Sequence, residues 1–410
     1  MHLRFTTAGE SHGKALVVVV EGLPAGLPVG AESVDRELAR RMQGYGRGAR
    51  MKIERDRIEW LAGVRAGETL GSPVAMLIPN LDWANWEDVM AAEGTPGDQR
   101  RRRVSRPRPG HADLVGVLKY DRLDARDILE RASARETAAR VAAGALARRL
   151  LEEFGVEIGS HVASLGGIQA ALPNPLPAPL NDAADRSTVR MLDAGAEAAV
   201  VALIDQAKQA GDTLGGEIEV VARGLVLGLG SHVSWDRKLD GRLAGMLMSI
   251  PAVKGVEIGL GFEAARRPGS AVHDAIEAGS DGADAAARGG FRRATNNAGG
   301  LEGGMTTGEP LVVRVAMKPI STLMSPLKTV NLATGEPANA QSERSDVTAV
   351  PAMGVIAEAL VALVLADAML EKFGGDSLAE MRRNVDAYVE HLGQRWVEFR
   401  ARDPDETPKS

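Results

Sequence analysis

The chain has 410 residues, 44% of them apolar and 25% charged, which are the values of a globular protein rather than a disordered or fibrous one. Its net charge of −6 argues against a general polyanion binder, and the lack of cysteine excludes disulfides, thiolate nucleophiles, iron–sulfur clusters and cysteine-ligated zinc. Aromatic residues make up only 3%, so the core must be built from Ala, Val, Leu, Ile and Met, and the 47 glycines imply tight turns and close backbone approaches.

In chain order, the first stretch, MHLRFTTAGESHGKA, has no uninterrupted apolar run, so no signal peptide is expected. It contains a polar turn, Thr7-Ala8-Gly9-Glu10-Ser11-His12-Gly13, just before residues 15–22, which read as a buried strand. Residues 31–42 predict a helix leading into the glycine- and arginine-rich loop 44–50. Strands are expected near 52–62 and 72–79, followed by a long loop, 91–110, that carries the run Arg100-Arg101-Arg102-Arg103. That run reads as a mobile charged loop, with a lid over a bound site as the lesser alternative. Ser133-Ala134-Arg135-Glu136 fits a capping box, with Ser133 as N-cap and Glu136 reaching back, and a helix rich in small residues follows.

Residues 172–190, rich in Pro, Ala and Asn, predict a surface excursion. Helices are expected near 194–210 and 239–250, and strands at 216–222, 253–259 and 311–317. The glycine-rich 263–309 stretch is too long for an idle loop in a compact domain. Residues 353–370 are the most apolar, but Glu358 and Asp367 interrupt them, whereas a membrane helix needs about 20 largely uncharged residues. A buried helix ended at Gly374-Gly375 is therefore expected, with no membrane association and a cytoplasmic location. No linker cuts the chain, so residues 1–400 are expected to form a single domain with a disordered polar tail at 401–410.

The segment Arg106-Pro107-Arg108-Pro109-Gly110-His111-Ala112-Asp113 has the clearest chemical character. Its prolines restrict the backbone and Gly110 permits a turn, so guanidiniums and an imidazole are presented by a stiff segment. Such a loop can hold an anion and pass a proton, although alone it could equally be a solvated basic loop. Further cationic or proton-transfer groups occur in the His12 turn, the 41–50 loop, the Ser133 helix start, and the pair Lys318–Thr322 and Arg344–Asp346. Together they suit an anionic, phosphorylated substrate or cofactor. There is no Walker loop, GxGxxG order, GxSxG elbow or metal-ligand spacing, so no metal is expected. His161, His232, His273 and His391 lie outside these groups and are expected to be structural or solvated.

Eight blocks, TAGESHG, GYGRGARM, RPGHAD, RASARETAARVAAG, KGVEIGLGF, AGGLEGGMTTGEP, AMKPIST and RSDVTAVPA, resemble in sequence and order the signatures of the chorismate synthase family. The resemblance implies an α+β fold, a β-α-β sandwich with antiparallel sheets around central helices, and a homotetramer. It implies 1,4-anti elimination of phosphate from 5-enolpyruvylshikimate 3-phosphate to give chorismate. The reaction is redox-neutral but needs reduced FMN, with NADPH only an indirect source of reductant.

By the same resemblance, His12 would protonate the departing phosphate, His111 would sit near flavin N1, and Asp346 near flavin N5, helping to move the C6 proton. Arg41, Arg47, Arg50, Arg108 and Arg135 would bind substrate, and Arg41 and Arg47 also match positions assigned to NADP in some members. Flavin contacts would come from Arg131, Ala132, Ser133, Ala134, Ala252, Gly304, Met305, Lys318, Pro319, Ile320, Ser321, Thr322 and Arg344. One departure is Pro251, where the family commonly has Gln or Asn. A proline offers neither side-chain amide nor N–H, so that flavin hydrogen bond cannot be made from position 251. Competing readings are an NADPH-consuming oxidoreductase and a nucleic-acid binder using the Arg100–Arg103 run; the acidic charge and few aromatics weigh against the latter.

Overall fold

The computed structural model describes residues 2–48, 55–93, 102–279, 288–342 and 345–401. Arg50, Arg100, Arg101, Arg344 and the expected tail from 402 lie outside the described residues.

The main elements are, in order, β1 (Arg4–Ala8), β2 (Ala15–Glu21), α1 (Ala31–Met42), β3 (Glu59–Ala62), β4 (Val74–Pro79), α2 (Thr137–Glu152), β5 (Glu157–Leu165), β6 (Ile168–Gln169), α3 (Ala194–Ala210), β7 (Gly216–Arg223), α4 (Leu239–Met248), β8 (Val253–Ile258), β9 (Leu311–Met317), α5 (Val350–Phe373) and α6 (Leu378–Ala401). They make an α+β fold with two main sheets, ordered β1-β2-β4-β3 and β8-β9-β7-β5-β6, in which every neighbouring pair is antiparallel.

The hydrophobic pattern explains where the helices go. In β2, Leu16, Val18 and Val20 are buried while Val17 and Val19 are half-buried, so one face carries the core. Helix α2 packs on that face and, on its other side, on α5, which in turn packs on β5 and β7 of the second sheet. A helix held between two layers must be apolar all round, which is why α5 is. Among the described residues it is the one helix long and apolar enough to cross a membrane, and 94% of its most apolar window is buried inside the protein.

The small residues of α2 let the two helices approach closely. A Cβ on Gly144 would lie 2.5 Å from Ala359 Cβ, so backbone meets backbone there. Glu358 is fully buried in this layer, and Arg40, Arg148, Arg190, Ser160 and Asn181 all donate to its carboxylate.

Three local expectations change. The 172–190 segment is not merely a surface excursion. It contains a short helix, Leu180–Ala184, and Leu180, Val189 and Arg190 are buried, because Arg190 reaches inward to Glu358 and to Ser160. The capping box is only half formed. Ser133 Oγ accepts from Arg135 N at 3.3 Å, but Glu136 turns away to Thr7 Oγ1 and Arg140, and a 3-10 turn precedes α2. The described end of the arginine run is tied down: Arg103 donates to Leu123 O, and Arg102 lies over Trp86. Strand β1 and helix α6 have no counterpart in the sequence expectations.

Candidate active site

Loops from both halves of the fold converge on a cavity of about 600 Å³. Its walls come from the turn between β1 and β2, the C-terminal end of α1 and its loop, the 108–112 loop, and the 132–137 helix start. The α4–β8 connection, the loop after β9 and the first turns of α5 complete it.

His12 lies on one wall and is almost fully buried. Its Nδ1 is 2.8 Å from Glu130 Oε2, and its backbone N–H donates to the same oxygen at 2.9 Å. Burial alone would raise the Glu130 carboxyl, but the hydrogen bond and charge of His12, with help from Arg126, outweigh it and hold Glu130 below the usual carboxylate range. An anionic partner on Nδ1 fixes which way the imidazole faces and places the second ring proton, when present, on Nε2.

The 108–113 loop forms a second buried acid–base unit. Asp113 is fully buried and accepts from Arg108 N and Nε at 3.0 and 2.8 Å, while its Oδ1 lies 2.6 Å from His111 Nδ1. Burial opposes ionisation here too, but hydrogen bonds from His111 and Arg108 prevail and keep Asp113 well below its ordinary range. Gly110 takes a φ of 77°, a left-handed turn that favours glycine, and its carbonyl accepts from Lys318 Nζ at 2.6 Å. Arg108 also donates to Thr322 Oγ1 at 2.9 Å. Thus two blocks far apart in sequence are joined at the cavity wall.

The arginines are braced by acids. Arg135 places Nη1 2.7 and 2.8 Å from the two Asp56 oxygens. Arg41 donates to Thr137 Oγ1 and to Ala134 O, and lies 3.9 Å from Asp56. Asp346 accepts from Gly48 N at 2.6 Å and pairs with Arg47 Nε at 2.8 Å. Guanidiniums held this way are oriented before any ligand arrives.

Of the residues singled out from sequence, His12, His111, Asp346, Arg41, Arg47, Arg108, Arg135, Ala132, Ser133, Ala134, Ala252, Lys318, Ile320, Ser321 and Thr322 all line this cavity. Pro251 lines it as well, and Ala252 beside it has a φ of 70°, costly for a residue with a Cβ. Pro319 is not part of the lining. Arg131 points elsewhere, donating to Thr7 O and Gly9 O. Gly304 and Met305 lie in a hairpin apart from the cavity, where Gly304 O accepts from Leu239 N and Met305 bridges to Gly230. The acids Glu130, Asp113 and Asp56 were missed. Asp113 stands two residues from His111, a spacing that could have signalled it; Asp56 reaches Arg135 only through the tertiary fold.

Comparison with known proteins agrees along the whole cavity-bearing chain. The family model described as chorismate synthase matches residues 3–370. Chorismate synthase of Geobacter sulfurreducens is 56% identical over 390 residues, covering 95% of this chain and 99% of that protein. Chorismate synthase of Streptomyces coelicolor is 58% identical over 402 residues, covering 96% and 99%. A crystal structure of chorismate synthase superimposes with a TM-score of 0.76 at 43% identity, covering 96% of this chain and 99% of that one.

Proposed function

The chain belongs to the chorismate synthase family, and we propose that its cavity holds reduced FMN beside 5-enolpyruvylshikimate 3-phosphate and eliminates phosphate by 1,4-anti elimination. Membership makes it a carbon–oxygen lyase acting on phosphates, at the last step of the shikimate pathway towards aromatic amino acids.

The observation that carries this reading is the gathering of two carboxylate-backed histidines, Asp346 and four braced arginines around one cavity. The lining fits a flavin with substrate. The volume falls within the usual range of small-molecule pockets, about 300–1,000 Å³. Gly48, Gly110, Ala132, Ala134, Ala252, Ala349 and Ala352 leave wall space for a flat ring. The start of α2 and the cations around it suit phosphate and carboxylate groups.

Reduced FMN, when bound, supplies electron density that carbon–oxygen cleavage can draw on and return. The chain's own residues do the rest. Protonated His12, with Nδ1 on Glu130, donates from Nε2 to the departing phosphate, which is costly to release as a dianion in a dry site. Asp346 assists removal of the C6 proton, held at its place by Gly48 N–H and Arg47. His111, anchored by Asp113, would contact the flavin and could hold a proton there. Arg41, Arg47, Arg108 and Arg135 orient the substrate's anionic groups. The C6–H and C3–O bonds break, the proton and phosphate leave, and no net oxidation occurs.

The wider proposal is a β-α-β sandwich in one domain over residues 1–400, acting in the cytoplasm as a homotetramer, without a resident metal and without nucleic-acid or membrane partners. NADPH enters only upstream, as reductant for FMN. Counting phosphate released against NADPH consumed tests this against the oxidoreductase reading. The lyase predicts many phosphates per NADPH; a one-to-one ratio would overturn it.

A further inference from the structure

His12 is not held by Glu130 alone. Trp86 stacks on its imidazole, with ring centroids 3.7 Å apart and planes 29° from parallel. The indole is itself fixed at its edge and face. Nε1 donates to Asp82 Oδ2 at 2.9 Å, and the guanidinium carbons of Arg102 and Arg126 lie 4.4 and 5.2 Å from the Trp86 ring centroid. Arg126 also donates to Glu130 Oε1 at 2.7 Å and to Arg102 O at 2.8 Å. One arginine therefore braces both the carboxylate on His12 Nδ1 and the indole on the His12 face.

The turn that carries Trp86 is bolted to the turn that carries His12. Asn80 Nδ2 donates to Gly13 O at 2.8 Å, and Asn80 N donates to Lys14 O at 3.1 Å. Trp86 is not part of the cavity lining, so it acts on the chemistry only through His12. A hydrogen bond at Nδ1 leaves an imidazole able to rock about that bond, whereas a stacked ring removes the freedom. Cations over the indole stiffen the stack in turn. Misplacement of a reacting group by about 1 Å can cost about a hundredfold in rate, so such rigidity matters for a proton donor.

We propose that Trp86 is a positioning residue for the elimination, stacked on His12 and clamped by Arg102 and Arg126 so that Nε2 keeps its aim at the departing phosphate. This rests on the reading of His12 as the acid. It also absorbs Arg102, the described end of the arginine run, into the working site.

The test compares W86L, W86F and H12A with the parent chain, using saturating reduced FMN under anaerobic conditions and varied 5-enolpyruvylshikimate 3-phosphate. W86L should lose about tenfold in kcat with KM changed by less than about twofold, and W86F, which restores a stacking face, should recover most of the rate. Trp86 is only half-buried, so both variants should fold, and thermal melting checks that they do. An unchanged kcat in W86L, a loss expressed in KM, or an equal kcat loss in W86F would each overturn the proposal. H12A separates the two layers. Parent-like kcat in H12A would remove the underlying reading of His12, whereas an inactive H12A beside an unaffected W86L would remove only the role of Trp86. Should W86L fail to fold, W86F against W86Q applies the same comparison.

Discussion

Glu130 grips His12 twice, accepting from its backbone N–H at 2.9 Å and lying 2.8 Å from Nδ1. Held so, the imidazole has one orientation, and Nε2 is the nitrogen that does not face Glu130. Glu130→Gln keeps the size but removes the charge, and should lower kcat about a hundredfold with little change in KM. Steady-state kinetics with saturating reduced FMN measure this, and an unchanged kcat would contradict it.

His111 stands in a comparable relation to Asp113, but its work is assigned to the flavin rather than to the phosphate. His111→Ala should therefore cost about a hundredfold in kcat while FMN affinity changes by less than about threefold. Fluorescence titration of FMN set beside kcat separates the two, and an equal loss in both would count against a catalytic role.

Glu358 shows how the fold tolerates charge at its centre. Three arginines and two neutral donors surround a carboxylate with no solvent exposure. Burial would raise it, but the arginine charges hold it well below the ordinary range. Glu358→Gln leaves the three arginines, among the described residues, with only Glu37 and Asp185 as acidic partners and should destabilise the protein by about 3–5 kcal/mol. Denaturant unfolding would show this as a lower midpoint, and an unshifted midpoint would refute it.

Asp113, Glu130 and Glu358 share a pH signature, since all three are depressed in the folded chain. The unfolded chain takes up their protons near about pH 4, and the folded chain only at lower pH. Their stabilisation is therefore complete above that range and is lost as the pH falls through the folded values. Unfolding midpoints at about pH 5, 4 and 3 should decline steadily, and less steeply in Asp113→Asn. A midpoint unchanged down to about pH 3 would contradict the assignment.

Much of the scaffold was legible because its elements carry long, simple patterns. Helix α1 was expected at 31–42 and spans Ala31–Met42; α3 was expected at 194–210 and spans Ala194–Ala210. Strand β1 escaped because RFTTA is short and never fully buried. Helix α6 did carry a signal, with buried Met381 and Val385 four apart on a largely polar helix, but its apolar stripe is thin. At the site, the cations and histidines could be read from residue type and motif. Their partners could not. Asp56 meets Arg135 across 79 residues, and Trp86 reaches His12 only because the turn after β4 folds against the turn after β1. Pairing of this kind is set by topology, which local pattern does not encode.

The central claim is a redox-neutral elimination that nevertheless depends on reduced flavin. It is tested most directly by incubating the purified chain anaerobically with 5-enolpyruvylshikimate 3-phosphate and either dithionite-reduced FMN, oxidised FMN or no flavin, while following chorismate and the flavin spectrum together. Chorismate and phosphate should form in equal amounts with reduced FMN alone, and the flavin should be as reduced at the end as at the start. No chorismate with reduced FMN, or flavin oxidised in step with product, would contradict the account.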